Sequence, residues 1–162
     1  DNHEEIIQDI LFINCTDFDD LYNLIFNLEF LIIQYKGDNS KKIKLIVIDS
    51  LTDLYRLELD HLKKDQNFIL NYKLNTILGN LSYLNKVYKT NILIVNEISK
   101  KSINGNVIEV ESGGNVMDYW IQNSIKIERS HKLNERKLVI FNRSENIKRE
   151  ITITLTSNGF KD

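Results

Sequence analysis

The chain has 162 residues, of which 42% are hydrophobic and 27% charged. These are the proportions of a globular domain, not of a disordered segment, and the length suits a single core. It contains no proline and no alanine, while asparagine, isoleucine and lysine are abundant. We read that bias as genomic codon usage, and it excludes every proline-built feature, from PxxP ligands to proline-kinked helices. Net charge is −2, divided into −5 over residues 1–98 and +3 over residues 99–162, an asymmetry too small to establish nucleic-acid binding by itself.

Cys15 is the single cysteine, which excludes an intramolecular disulfide framework and a cysteine-built zinc site. His3, His61 and His131 are scattered without ligand spacing. No apolar run reaches the length of a membrane span, and no signal peptide is visible at Asp1. The expected setting is therefore cytoplasmic. The absence of an initiating methionine reads as a piece of something longer.

In chain order, Ile10–Cys15 reads as a short strand. Thr16 reads as a helix N-cap, with Asp19 in the first turn. Phe18, Leu21, Tyr22, Ile25, Leu28 and Ile32 recur at helical spacing, predicting an amphipathic helix over 17–35. Lys36–Ser40 breaks it. Ile43–Asp49 (IKLIVID) is a nearly continuous aliphatic run ending in a carboxylate, the pattern of a strand buried on both faces of a parallel sheet. A polar loop follows. Leu70, Leu74, Ile77, Leu78, Leu81 and Leu84 then mark a second helix, and Asn91–Glu97 (NILIVNE) a second buried strand. Alternating strands and helices predict βαβ crossovers around a parallel core. Beyond residue 98, Ser99–Ser112 reads as a polar loop, and Gly113-Gly114 leads into a short segment with Met117, Tyr119 and Trp120. Strands over 121–128, 137–142 and 150–156 read as an antiparallel meander added to the parallel sheet.

In open parallel sheets ligands bind at the carboxyl ends of the strands. Two groups fall there: Asp49-Ser50 and Asn96-Glu97. An aliphatic strand ending in Asp is the Walker B arrangement, whose carboxylate holds Mg²⁺ through water beside a nucleotide phosphate. Alone, such an ending is more often a simple turn start.

The order of the pieces is more specific. LIVIDSLTDLYRLEL (Leu45–Leu59), then NILIVNE, then GGNVMDYW, resembles the RecA/RadA recombinase family, with the YRLEL wording leaning towards its shorter archaeal RadB branch. Asp49, Ser50, Thr52, Tyr55, Arg56 and Glu58 match that family's pattern, and Ile151–Asp162 is similar to its closing strand. The resemblance implies a RecA-like P-loop NTPase core of α/β class, with a mainly parallel sheet flanked by helices and a C-terminal antiparallel meander. It implies one partial domain over 1–162, lying downstream of Walker A. No GxxxxGK[ST] loop occurs in the 162 residues, so the phosphate cradle is missing and the chain alone is not expected to hydrolyse ATP. In the expected architecture the P-loop strand pairs between Ile43–Asp49 and Asn91–Glu97, and its loss leaves two strand edges unpaired.

The resemblance further implies ATP and Mg²⁺ as cofactors, with Asp49 (the metal ligand, through water) and Ser50 at the nucleotide. Asn96 and Glu97 fall at the catalytic sensor position, where Glu97 replaces a phosphate-sensing Gln. A carboxylate lacks the amide donor and repels phosphate. DNA-contacting positions implied by the family's two loops are Arg56, Lys63 and Lys64 in the loop Arg56–Asn67, and Lys100 and Lys101 in the loop Ile98–Ser112, where Glu109 and Glu111 offset them. Tyr119 and Trp120 are expected in the core or a subunit interface. The basic turn Arg129–Lys137 reads as a solvent-exposed hairpin. The implied role is in DNA repair and homologous recombination, as a mediator or regulator that binds DNA and a RadA-type recombinase and assembles with copies of itself, without a membrane. The rival readings are a nucleotide-independent module that binds a recombinase, and a KaiC-type ATPase with no DNA role.

Overall fold

The computed structural model describes residues 10–37, 42–59, 64–103 and 105–161. These divide into two compact units, one ending at Tyr119 and one beginning at Trp120.

In the first unit, residues 10–15 lie outside any helix or strand. They pair with no strand, and Phe12 is 79% exposed, so the strand expected there is corrected to unpaired chain. Its apolar side chains have no sheet to lie on. Helix α1 spans Phe18–Gly37, and Asp17 caps it in place of Thr16: Asp17 Oδ1 accepts from the Asp20 amide at 2.8 Å. Asp20 Oδ2 in turn accepts from the hydroxyl and amide of Thr16 at 2.5 and 3.2 Å. Those bonds hold the Asp20 carboxyl below its ordinary range, the hydroxyl contributing most. Phe18, Leu21, Ile25, Leu28 and Ile32 form the buried stripe, as their spacing predicts.

Strand β1 is Leu45–Ile48. Helix α2, Leu51–Leu59, occupies most of the stretch expected to be a polar loop. Ser50 Oγ accepts from the Asp53 amide at 3.3 Å and caps it, while Leu51 and Tyr55 bury one turn apart. Helix α3 runs Lys64–Tyr88, so the described residues of the expected loop Arg56–Asn67 are helical. The predicted leucines of α3 are all buried to 2% exposure or less. Helices α1 and α3 pack together and share polar contacts. Lys73 pairs with Asp19, and the hydroxyls of Tyr83 and Tyr88 both donate to Glu29 Oε1, at 2.9 and 2.6 Å. The bond to Glu29, with burial and that carboxylate's charge behind it, pushes the Tyr88 phenol up to about 12. No glycine ends α3. Lys89 takes the left-handed conformation (φ 57°), and buried Thr90 donates to Ile43 O at 3.0 Å.

Strand β2 is Asn91–Ile94 and pairs with β1 directly and in parallel, Leu45 opposite Asn91 through Ile48 opposite Ile94. The Asn91 and Val95 amides extend the ladder to the carbonyls of Lys44 and Ile48. This corrects the expectation of a missing strand between the two. The slot is closed by their own hydrogen bonds, so a further strand has only the outer edges to join. Burial on both faces is corrected as well: Leu45, Val47, Leu93 and Val95 share one face and are 54%, 52%, 49% and 37% exposed.

Strands β3 (Ile98–Ile103) and β4 (Asn106–Glu111) form an antiparallel hairpin where a loop is expected. Gly105 at its tip has φ +79°, a conformation that favours glycine. Gly113 has φ +88°, and a Cβ there would lie 2.2 Å from Met117 Cγ, so the tight approach to helix α4 (Gly114–Trp120) needs glycine. Met117 is buried. Tyr119, 75% exposed, is not a core residue.

The second unit is the predicted meander: β5 (Asn123–Arg129), β6 (Glu135–Asn142), β7 (Ile147–Thr156) and β8 (Gly159–Lys161), antiparallel in that order. It is a separate four-stranded sheet, not an extension of the parallel one, so antiparallel pairs outnumber the single parallel pair. Alternation divides its faces. Lys126, Glu128, Lys137, Lys148 and Glu150 share one face, with Lys137–Glu150 at 2.7 Å, Lys126–Glu128 at 2.9 Å and Lys148–Glu150 at 3.2 Å. The other face is aliphatic, and Ile125, Ile127, Ile151 and Leu155 on it remain exposed. Among the described residues no helix is long and apolar enough to cross a membrane.

The carboxyls of Asp20, Glu128, Glu135 and Glu150 are all held below their ordinary range, by the Thr16 hydroxyl in the first and by lysine hydrogen bonds in the others. Because folded values lie below unfolded ones, their stabilisation is present above the ordinary carboxylate range, about pH 4, and is lost as pH falls through the lowered folded values. The urea midpoint is expected to hold from pH 7 to about pH 5 and to fall below about pH 4. Glu150→Gln should flatten that fall, as followed by circular dichroism.

Candidate functional site

The site is built by the parallel pairing. Since β1 and β2 run side by side in register, their carboxyl ends bring Asp49-Ser50 and Asn96-Glu97 to one edge of the sheet. Helix α2 starts from that edge. Asp49 is exposed, and its carboxylate has no hydrogen bond or ion pair among the described residues. The Asp49–Ser50 peptide is cis. Ser50 is occupied as the cap of α2.

One face of α2 then ties the unit together. Fully buried Thr52 donates to Asn96 Oδ1 at 2.5 Å, and Asn96 Nδ2 donates to Ser112 O at 3.0 Å. The Ser112 amide returns to Glu97 O at 3.2 Å. Thr52, Asn96 and Ser112 thus join the start of α2, the end of β2 and the foot of the β3–β4 hairpin. Ser112 Oγ is buried with no hydrogen-bond partner. Tyr55 packs edge-on against Phe18, with ring centres 5.7 Å apart, and its hydroxyl donates to Asn71 Oδ1 at 2.7 Å. Burial raises the Tyr55 phenol above its ordinary value. Arg56 Nη1 donates to Glu97 Oε2 at 2.9 Å, with Asp53 Oδ1 at 4.0 Å. Glu58 Oε1 accepts from the Phe18 amide at 3.3 Å, at the start of α1.

Of the positions expected to contact DNA, Arg56 is therefore brought to Glu97. Lys63 and His61 lie outside the described residues. Lys64 begins α3, and Lys100 and Lys101 lie on β3. Register places Lys100 opposite Glu109 and Lys101 opposite Ile108. With Glu109 and Glu111 on β4, the hairpin carries no net charge. The basic turn after β5 is exposed, as expected, and partly self-paired through Lys132–Glu135 at 2.7 Å.

Sequence reasoning missed the structural roles of Ser112 and Asn71. Neither carries a spacing signal, because each is recruited by a residue distant in the chain. The hairpin did carry one: Asn104-Gly105 between two alternating segments is a strong short-range hairpin pattern.

A single exposed carboxylate fits magnesium, which keeps several waters and takes one or two protein carboxylates beside phosphate oxygens. Asp49 would hold it. Among the described residues no group of three or more His, Cys, Asp or Glu is placed to cage a metal by itself.

No family model matches the chain. It is 40% identical over 100 residues to a DNA repair and recombination protein RadB of Methanococcus maripaludis, covering 62% of this chain and 43% of that protein. It is 32% identical over 139 residues to a protein of that name from Methanocaldococcus jannaschii, covering 86% of this chain and 58% of that protein. A third, from Methanosphaera stadtmanae, is 33% identical over 90 residues, 56% of this chain and 37% of that protein. The chain spans about half the length of the first two of these curated relatives.

Replacing Thr52 by valine keeps the shape and removes the donor, leaving Asn96 Oδ1 short of a partner in a partly buried place. The expected loss is about 1–3 kcal/mol of stability. It should come with faster hydrogen exchange at the Ser112 amide, while the α1–α3 helix pair keeps its protection.

Proposed function

We propose, from the chain's relationship to the RadB proteins, that it forms the magnesium-carboxylate and strand-end portion of a RecA-like ATPase core. Its role would be in DNA repair and homologous recombination. The single observation that carries this is the side-by-side placement of Asp49-Ser50 and Asn96-Glu97 at the carboxyl ends of two parallel strands. That edge is where a phosphate ligand meets such a sheet. The bare face of β1–β2, with Leu45, Val47, Leu93 and Val95 exposed, supports a larger core in which a parallel sheet is covered on both sides.

In this reading magnesium bound with a nucleotide supplies charge neutralisation at the phosphates. Asp49 would hold that metal, and Ser50 caps the start of α2. Asn96, held by Thr52 and Ser112, keeps the end of β2 and the foot of the hairpin in one frame. The 162 residues contain no phosphate-cradling GxxxxGK[ST], so turnover belongs to an assembly that supplies one. Lys63, Lys64, Lys100 and Lys101 are the proposed DNA contacts, and a RadA-type recombinase and further copies of the protein are the proposed partners. The hairpin's lack of net charge favours a second reading, a nucleotide-independent module that binds a recombinase.

Fluorescence anisotropy with a single-stranded oligonucleotide separates the two. DNA binding is expected to weaken with salt, with a log–log slope of about −0.7 per phosphate contacted. Lys63→Gln with Lys64→Gln should make that slope shallower. No binding at low salt, or a flat salt response, would overturn the DNA role and leave the interaction module. The 162-residue chain by itself should release no phosphate from ATP.

A further inference from the structure

Arg56 is the expected DNA-contacting cation whose partners the structure describes, and it is already engaged. Its Nη1 donates to Glu97 Oε2 at 2.9 Å, with Asp53 Oδ1 4.0 Å away. The Arg56 and Glu97 side chains are 42% and 56% exposed, and a solvated pair of that kind contributes little to folding. Its setting is nonetheless fixed. The Glu97 carbonyl accepts from the Ser112 amide at 3.2 Å, and the neighbouring Asn96 is held on one side by Thr52 and on the other by Ser112. Arg56 rides on α2, whose start is tied to that same Asn96 through Thr52. The main chains that carry the two charges therefore cannot drift apart, and only side-chain rotation separates them.

A phosphate oxyanion approaching Arg56 meets two electrostatic costs. It must displace the carboxylate from the guanidinium, and it must then sit beside a charge of its own sign. A neutral amide at position 97 would impose neither.

We propose that Glu97 is an intramolecular competitor for phosphate: it occupies Arg56 in place of a phosphate oxyanion and blocks the strand-end edge against that ligand. The proposal rests on the phosphate-binding reading above and adds self-blocking to it. The oxyanion belongs to a nucleic-acid backbone or to a nucleotide, and separate probes distinguish these.

The test compares the full chain with Glu97→Gln, Arg56→Gln and the double variant, using a single-stranded oligonucleotide and ATP as separate probes. Glu97→Gln is expected to tighten binding by about three- to tenfold at low salt and, for the oligonucleotide, to steepen the log–log salt slope by about 0.7, one added phosphate contact. Arg56→Gln should not tighten binding by itself, because it leaves Glu97 as an unpaired carboxylate, and it should cancel the gain of Glu97→Gln. A gain with ATP alone identifies a nucleotide as the source. An arm free of both probes follows the Arg56 guanidinium by nitrogen NMR during titration with inorganic phosphate, where the signal should move in Glu97→Gln and stay in place in the unsubstituted chain. If no form binds oligonucleotide but this response appears, the competitor stands and the DNA role falls. If every form binds oligonucleotide with one slope, the DNA role stands and the competitor falls. Equal phosphate responses in both forms, or a gain from Glu97→Gln that survives Arg56→Gln, would overturn the proposal too.

Discussion

The direct parallel pairing of β1 with β2 is the constraint on which the candidate site depends. Four residues of register, from Leu45 opposite Asn91 to Ile48 opposite Ile94, place two polar strand ends side by side though they lie nearly fifty residues apart in the chain. A one-residue slip of β1 would turn Ile48 to the bare face and Val47 inward. The pairing is secured from outside the strands. Thr90 bonds back to Ile43 O just before β2, and the Val95 amide bonds to Ile48 O just after it. The register is thus bracketed at both ends by bonds that a slipped strand could not make.

Helix α2 converts that edge into a frame. Its four polar side chains nearest the site reach three segments distant in the chain. Thr52 holds the end of β2, Tyr55 reaches α3 through Asn71, Arg56 meets Glu97, and Glu58 meets the start of α1. These are the positions that match the recombinase pattern after Asp49-Ser50. Their chemistry in this chain is largely that of hydrogen-bonded attachment, which explains how so short a segment specifies so much. A buried hydroxyl or phenol must find a partner, and each of these does so in an element distant in sequence.

The sequence showed the long elements well and the short ones poorly, for a physical reason. Helices α1 and α3 bury a continuous stripe, so Phe18, Leu21, Ile25, Leu28 and Ile32, and Leu70 through Leu84, announce themselves by period. The meander announced itself by alternation and its turns. Helix α2 has only nine residues, and much of its surface bonds to other elements instead of burying apolar area, so its sequence looks like a polar loop. The aliphatic run Ile10–Ile13 misled in the opposite sense, since β-propensity without a neighbouring strand yields unpaired chain. At the site, Asp49, Asn96 and Glu97 were legible because strand ends are legible. The Thr52–Asn96–Ser112 connection was not, because it exists only once β2 and the hairpin have been brought together.

The charge of the strand-end edge follows from the same geometry. Asp49 leaves a carboxylate exposed, Arg56 would offset it, and Glu97 takes Arg56 for itself. On the hairpin, Lys100 lies opposite Glu109 in register. At the strand-end edge Asp49, Asp53 and Glu97 outnumber Arg56, so that edge is net negative although a guanidinium is present. Binding by such a surface depends less on how many lysines and arginines it carries than on which of them have already been neutralised within the chain. In the proposed reading the residue that decides is Glu97, the carboxylate 2.9 Å from the guanidinium of α2.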